Sequence, residues 1–287
     1  MSKVIDILNS KSSPFATFEL VPPLKGSDVE KLHGSIEPLM QFCPPYINVT
    51  CHRDEVEYCL NEDGTYTRMT LSKRPGTIAI VAAIKMKFEV DIVPHVICGG
   101  ASRTMTESEL IDLHFLGIRN IMALRGDAVT DPTVRNGLST DFCVGVAGYP
   151  EKHYEAANME NDIQNLKRKV EAGADYIITQ MFFDNQRFYD FVRQCREVGI
   201  AVPIIPGLKP ISTLRQLDLL PRSFHIDIPQ ELVSELRRAQ SPEAVYQIGT
   251  EWCTEQSRDL LAHGVPAIHY YTMAKTDNIC KIVNKSF

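Results

Sequence analysis

Short apolar runs alternate with amphipathic stretches along almost the whole chain, and this alternation constrains the fold more than any other feature. The runs are Phe15–Leu20, Tyr46–Thr50, Asp91–Val96, Ile118–Leu124, Val144–Ala147, Tyr176–Gln180, Val202–Gly207 and Ala267–Tyr271. Continuous apolar character is what a strand covered on both faces requires, because neither face meets water. Between the runs the 3.6-residue pattern predicts helices over about 28–42, 72–88, 106–117, 156–172 and 185–198. Further helices are expected over 211–220, 229–239 and 241–263, with a last one from Thr272. The Thr106–Glu109 spacing reads as a capping box, and Gly173 and Gly199 as helix C-caps. Residues 60–70 read as a long polar loop and 128–141 as an irregular one. Strict β–α alternation implies a parallel sheet, and eight units close naturally into a (β/α)8 TIM barrel. A doubly wound sheet is the alternative, yet neither G-x-G-x-x-G nor G-x-x-x-x-G-K-[ST] occurs. No shift in composition marks a boundary, so residues 1–287 read as one barrel domain.

Composition narrows the function. The 287 residues carry 30 Lys and Arg against 36 Asp and Glu, a formal charge of −6 with no basic cluster. A phosphate backbone is therefore not an expected partner. No apolar run approaches the length of a membrane span, and the first 13 residues lack the apolar core of a signal peptide. The eight cysteines are scattered without a C-x-x-C pair, which fits reduced thiols in a cytoplasmic protein better than a zinc cage or a disulfide framework.

Barrel chemistry sits where the strands end. Those positions hold Glu19, Thr50, His95, Arg125-Gly126-Asp127, Tyr149, Gln180, Pro206-Gly207 and Tyr271. One His and two carboxylates are too few for an expected metal site. Glu19 lies among Phe, Leu and Val, so desolvation is expected to raise its pKa and suit it to general acid catalysis. Asp127, beside Arg125 and a Gly turn, is expected to stay ionised. The plainer alternatives are a rim ion pair for Glu19, a hydrogen-bonded core histidine for His95 and an ordinary polar turn at 125–127. For Asp162, Asn165 and Lys169 the plainer alternative is a solvated helix face. On the residues alone, the chain is a barrel enzyme with an acid, a second carboxylate and no metal.

Several segments carry a family pattern. They are Phe18-Glu19-Leu20-Val21-Pro22-Pro23, Pro94-His95-Val96, the stretch from Gly117 to Asp127, and Tyr149-Pro150-Glu151-Lys152-His153. Asn165–Lys169 with Glu171–Ala174, Ile178–Asp184, Ile205-Pro206-Gly207 and Tyr271-Thr272 continue it in order. In these the chain resembles the methylenetetrahydrofolate reductase family. The resemblance implies a flavin barrel that binds FAD at its rim, is reduced by NADH or NADPH, and then reduces 5,10-methylenetetrahydrofolate to 5-methyltetrahydrofolate. By position it implies Glu19 as general acid and Asp127 as the carboxylate near flavin and pterin. It implies flavin contacts at Thr50, His95, Arg125, Gly126, Asp127, Tyr149, His153, Ala156, Asp162, Asn165, Arg168 and Lys169. Substrate contacts are implied at Gln180 and Lys275. Cys51, Leu214 and Lys275 depart from residues common in the family, Lys275 replacing an Arg and so losing a bidentate fork. The regulatory extension of eukaryotic members has no counterpart here, so no such control is expected. A homo-oligomer is the expected assembly. Competing readings are a flavin-bearing barrel subunit fed electrons by a partner, and a folate-dependent methyltransferase barrel that needs no FAD.

Overall fold

The structure is a computed structural model that describes residues 2–52, 55–99, 101–125, 141–273 and 275–287. In chain order its strands are β1 (Phe15–Leu20), β2 (Tyr46–Val49), β3 (Glu55–Leu60), β4 (Tyr66–Leu71), β5 (Asp91–Ile97), β6 (Asn120–Leu124), β7 (Cys143–Gly148), β8 (Tyr176–Met181), β9 (Ile204–Leu208) and β10 (Ala267–Tyr271). All but β3 and β4 form a closed barrel of eight strands in sequential order. Every neighbour pairs in parallel, and β10 returns to β1 with Phe15 opposite Ala267 and Glu19 opposite Tyr271. The helices are α1 (Val4–Ser10), α2 (Val29–Met40), α3 (Thr77–Lys87), α4 (Arg103–Phe115), α5 (Met159–Glu171), α6 (Asn185–Glu197), α7 (Gln216–Phe224), α8 (Gln230–Arg238), α9 (Pro242–Ala262) and α10 (Asp277–Ser286). The (β/α)8 barrel expected from the alternation is thus the observed architecture. Among the described residues no helix is long and apolar enough to cross a membrane.

Period-two alternation sorts each strand between two cores. Ala16, Phe18, Leu20, Ile47, Val49, Ile92 and Ile268 face outward and pack against helix residues such as Leu32, Ile36, Leu39, Ile80 and Ile84. Phe15, Tyr46, Val93, Met122, Tyr176, Ile205 and Ala267 face inward. With them pack Val4, Ile7 and Leu8 of α1, which closes the N-terminal end of the barrel. Each such buried aliphatic contributes roughly 1.5–3 kcal/mol relative to exposure. The plug is pinned by Asn120 at the start of β6. Its Oδ1 accepts from Val4 N–H at 2.8 Å, and its Nδ2 donates to Ser2 O at 2.9 Å.

Three local expectations are corrected. The polar stretch read as a loop over 60–70 belongs to an antiparallel hairpin, β3 paired with β4, from Glu55↔Leu71 to Leu60↔Tyr66. Its described side chains are largely exposed, so no buried face marks it in the sequence. Helix α4 begins at Arg103 rather than Thr106, because the Ser102 hydroxyl accepts from Met105 N–H at 3.2 Å and caps it there. Helix α1 lies within the first 13 residues, where no element is expected from the sequence, and its buried Val4, Ile7 and Leu8 plug the barrel. Gly173 and Gly199 do occupy left-handed positions, φ 109° and 87°, just after α5 and α6.

Candidate active site

The inward alternation of β1, Phe15-Thr17-Glu19, delivers the Glu19 carboxylate to the C-terminal rim, the side opposite the α1 plug. The same alternation brings His95 of β5 above Val93, Asn48 of β2 above Tyr46, and His269 of β10 above Ala267. His95 Nε2 lies 3.5 Å from Glu19 Oε2, and His269 Nε2 lies 3.6 Å from the same oxygen. The side chains are enclosed, with 13 % of Glu19, 8 % of His95 and 1 % of His269 exposed. A polar layer of one carboxylate, two imidazoles and one amide therefore caps the apolar barrel interior.

The electrostatics correct the expectation for Glu19. Desolvation alone raises its pKa, but the His269 hydrogen bond and the nearby His95 imidazole outweigh it, and the net shift is downward. His95 shifts down as well, because burial disfavours the imidazolium more than Glu19 favours it. Glu19 thus sits as a carboxylate flanked by two imidazoles. The layer also contains buried polar atoms with no hydrogen-bond partner among the described residues: both amide atoms of Asn48 and Nδ1 of His269. Such atoms cost roughly 1–3 kcal/mol each and point to a polar guest at this layer.

Backbone clamps hold the rim. Thr272 Oγ1 donates to Glu19 O at 2.7 Å, and Tyr271 OH donates to Thr179 O at 2.7 Å, with its ring edge-on to His269 at 5.0 Å. Thr50 Oγ1 donates to Leu20 O at 3.2 Å and stands 3.0 Å from His52 Nε2. The Gln180 side-chain oxygen accepts from Met181 N–H at 2.9 Å.

A second group gathers beyond β6 and β7. Arg125 pairs with Glu155 at 2.7 Å. The Tyr149 and His153 rings meet edge-on at 4.6 Å, and His153 N–H donates to Asp162 Oδ2 at 2.9 Å. Lys152, at φ 75°, turns the loop, its ammonium donating to the carbonyls of His153 and Ala156 at 3.0 and 2.7 Å. On α5, Arg168 donates to Asn165 Oδ1 at 3.0 Å, and Lys169 Nζ to Ala147 O at 3.2 Å. Desolvation around that ammonium lowers its pKa, against Asp162, which raises it. The structure so brings together Glu19 with His95, and separately Arg125, Tyr149, His153, Ala156, Asp162 and Lys169, while Arg168 meets Asn165 on α5. Gly126 and Asp127 lie outside the described residues. Among the described residues no three His, Cys, Asp or Glu side chains stand close enough to hold a metal. His269, Asn48 and Lys209 were not singled out from the sequence. Counting back by twos from Tyr271 and Thr50, or onward from Gly207, is the signal that finds them.

Closed parallel strands with their ionisable groups at the C-terminal rim define a (β/α)8 barrel of the kind in which that rim carries the chemistry. Within that class, the chain belongs to the methylenetetrahydrofolate reductase family, whose pattern it matches over residues 3–286. It is 33 % identical over 276 residues to methylenetetrahydrofolate reductase 1 of Schizosaccharomyces pombe, covering 90 % of this chain and 43 % of that protein. It is 30 % identical over 272 residues to 5,10-methylenetetrahydrofolate reductase of Pectobacterium carotovorum subsp. carotovorum, covering 91 % and 86 %. The chain thus spans less than half the length of the fission yeast relative and most of the bacterial one. A solved structure of a Clostridium thermocellum protein, described as binding two copies of 5-methyl-5,6,7,8-tetrahydrofolic acid, superposes with a TM-score of 0.65. At 15 % identity over 98 % of this chain and 97 % of that one, it shares the fold.

Proposed function

We propose that this chain reduces 5,10-methylenetetrahydrofolate to 5-methyltetrahydrofolate, with electrons from NADH or NADPH relayed through FAD. The observation that carries the reading is Glu19, an enclosed carboxylate between two imidazoles at the rim of a barrel of this family. The residues present fit a flavin dinucleotide. Arg125, Arg168 and Lys169 can offset a pyrophosphate, Tyr149 and His153 offer ring faces and edges, and the unpartnered Asn48 amide awaits a polar edge. Asp127 is proposed to lie beside the flavin and pterin. FAD, when bound, supplies two-electron hydride chemistry.

The protein's own part is proton transfer and positioning. Glu19 delivers a proton to the nitrogen of the substrate's five-membered ring whose C–N bond breaks. The exocyclic carbon is left as an electrophilic iminium that accepts the hydride. A pterin seated over the rim removes the remaining water around Glu19 and adds to the desolvation that already opposes the imidazoles. Proton affinity then rises when substrate is present. His269 and His95 aim the carboxylate, and Gln180 and Lys275 hold the substrate beside it.

The test is spectroscopic. Purified protein supplied with FAD should turn yellow, bleach anaerobically with NADH or NADPH, and regain its colour with methylenetetrahydrofolate. Failure to take up FAD overturns the reading. Uptake without bleaching by either nicotinamide replaces it with a barrel fed by a partner subunit.

A further inference from the structure

Past the ends of β9 and β10 lies a cavity of about 300 Å3, separate from the Arg125–Lys169 group. Its polar lining includes Lys209, Arg215, Lys275, Ser212, Gln216 and Asn278, and it contains no Asp or Glu among the described residues. Lys209 is the unusual member. It continues the inward alternation Ile205-Gly207-Lys209, and only 5 % of it is exposed. Among the described residues its ammonium has no hydrogen-bond or ion-pair partner. Its pKa is lowered to about 8, chiefly by burial and also by Lys275, against Cys253, which raises it. Cys253, the thiol that acts on it electrostatically, is kept neutral because burial pushes its pKa up to about 12.

A buried ammonium without a counter-ion is costly, and a chain gains nothing from it in the folded state alone. The segment that carries it is nevertheless firmly set. Gln216 Oε1 accepts from Ser212 N–H at 2.7 Å and Thr213 N–H at 3.2 Å, and Ile211 packs directly on Gly249 of α9. Tyr271 lines the same cavity and stands opposite Glu19 in the barrel register, so the cavity adjoins the reactive layer. We propose that this cavity is an oxyanion subsite, and that Lys209 selects substrates bearing a carboxylate or phosphate tail. The tail's charge completes the pair that the protein leaves open. Under the function proposed above, two sources share this chemistry: the glutamate carboxylates of the folate and the 2′-phosphate of NADPH.

Equilibrium dialysis of wild type, Lys209→Met and Lys209→Arg tests it with two matched pairs, 5-methyltetrahydrofolate against 5-methyltetrahydropteroate and NADPH against NADH. Lys209→Met should weaken the tail-bearing member of one pair about 10- to 100-fold and leave its tail-less partner unchanged. Lys209→Arg should retain most of the affinity. Loss within the folate pair assigns the carboxylate, and loss within the nicotinamide pair assigns the phosphate. Unchanged binding in both pairs, or equal loss within a pair, overturns the subsite. Glutarate and inorganic phosphate are dialysed in parallel. If wild type binds neither folates nor nicotinamides, the proposed function fails separately. The subsite then stands if either small anion binds in a Lys209-dependent way, and falls if neither does. Removing an unpaired buried cation should leave Lys209→Met melting no lower than wild type, so misfolding does not cloud the result.

Discussion

His269 Nε2 stands 3.6 Å from Glu19 Oε2 across the seam where β10 closes onto β1. With His95 arriving from β5 at 3.5 Å, the carboxylate is bracketed by imidazoles from both sides of its own strand. Closure of the barrel is therefore what creates the site. Three residues far apart in the chain meet only because the first and last strands pair in one register.

Glu19→Gln keeps the side-chain shape and removes the group that takes up and delivers a proton. Flavin reduction by NADH or NADPH should stay within a few-fold of wild type in stopped-flow absorbance. Reoxidation by methylenetetrahydrofolate should slow by about two to four decades. Equal slowing of both half-reactions would assign Glu19 a structural role only.

Glu151 links the loop after β7 to the segment before α8, its Oε2 accepting from Asp227 N–H at 2.7 Å while Oε1 is buried without a partner. Desolvation raises its pKa to about 7. The folded state thus holds a proton that the unfolded chain, with a carboxyl near 4.5, releases earlier. Such a group costs stability as pH rises from the unfolded value through the folded one, and costs nothing below both. Glu151→Gln should therefore stabilise at pH 8, by on the order of 1–2 kcal/mol after solvent screening, and change little at pH 4. Urea melts at the two pH values check it, and an equal effect at both would remove the proton-linked account.

Asn120 satisfies the first backbone groups of the α1 plug from inside the barrel. Asn120→Ala leaves Val4 N–H buried without an acceptor, so about 1–3 kcal/mol should be lost. Hydrogen exchange should show the protection of α1 falling before that of the barrel strands.

The eight barrel strands were legible because each is covered on both faces and reads as an apolar run. The β3–β4 hairpin was not, since exposed strands carry no such mark and its Tyr58, Leu60 and Tyr66 stand in water. Position at strand ends found Glu19 and His95, but the sign of the Glu19 shift could not be read locally. Its environment within β1 is apolar, whereas the deciding imidazoles come from β5 and β10. Lys209 escaped notice because Pro206-Gly207 reads as the end of a strand whose inward alternation in fact runs one step further. The Asp127 expectation lies outside the described residues and rests on the family resemblance.

Two glycines should respond oppositely to the same change. Gly34 lies within α2, and a Cβ there meets nothing within 4 Å, so Gly34→Ala should stabilise by about 0.5–1 kcal/mol through helix propensity. At Gly249, within α9, a Cβ falls 1.8 Å from Ile211 O and 2.7 Å from its carbonyl carbon. Both contacts are backbone, so no side chain can swing aside. Gly249→Ala should cost about 1–3 kcal/mol or more, lowering Tm by roughly 2–4 °C per kcal/mol for a chain of this size. The displaced Ile211 lies two residues from Lys209. Affinity for the tail-bearing ligand should then fall more than for its tail-less partner, while uptake of added FAD should stay unchanged. Calorimetry and dialysis on the two variants decide it. A Gly249→Ala protein as stable as wild type would mean that the close approach of the 209–216 segment to α9 is not maintained in solution.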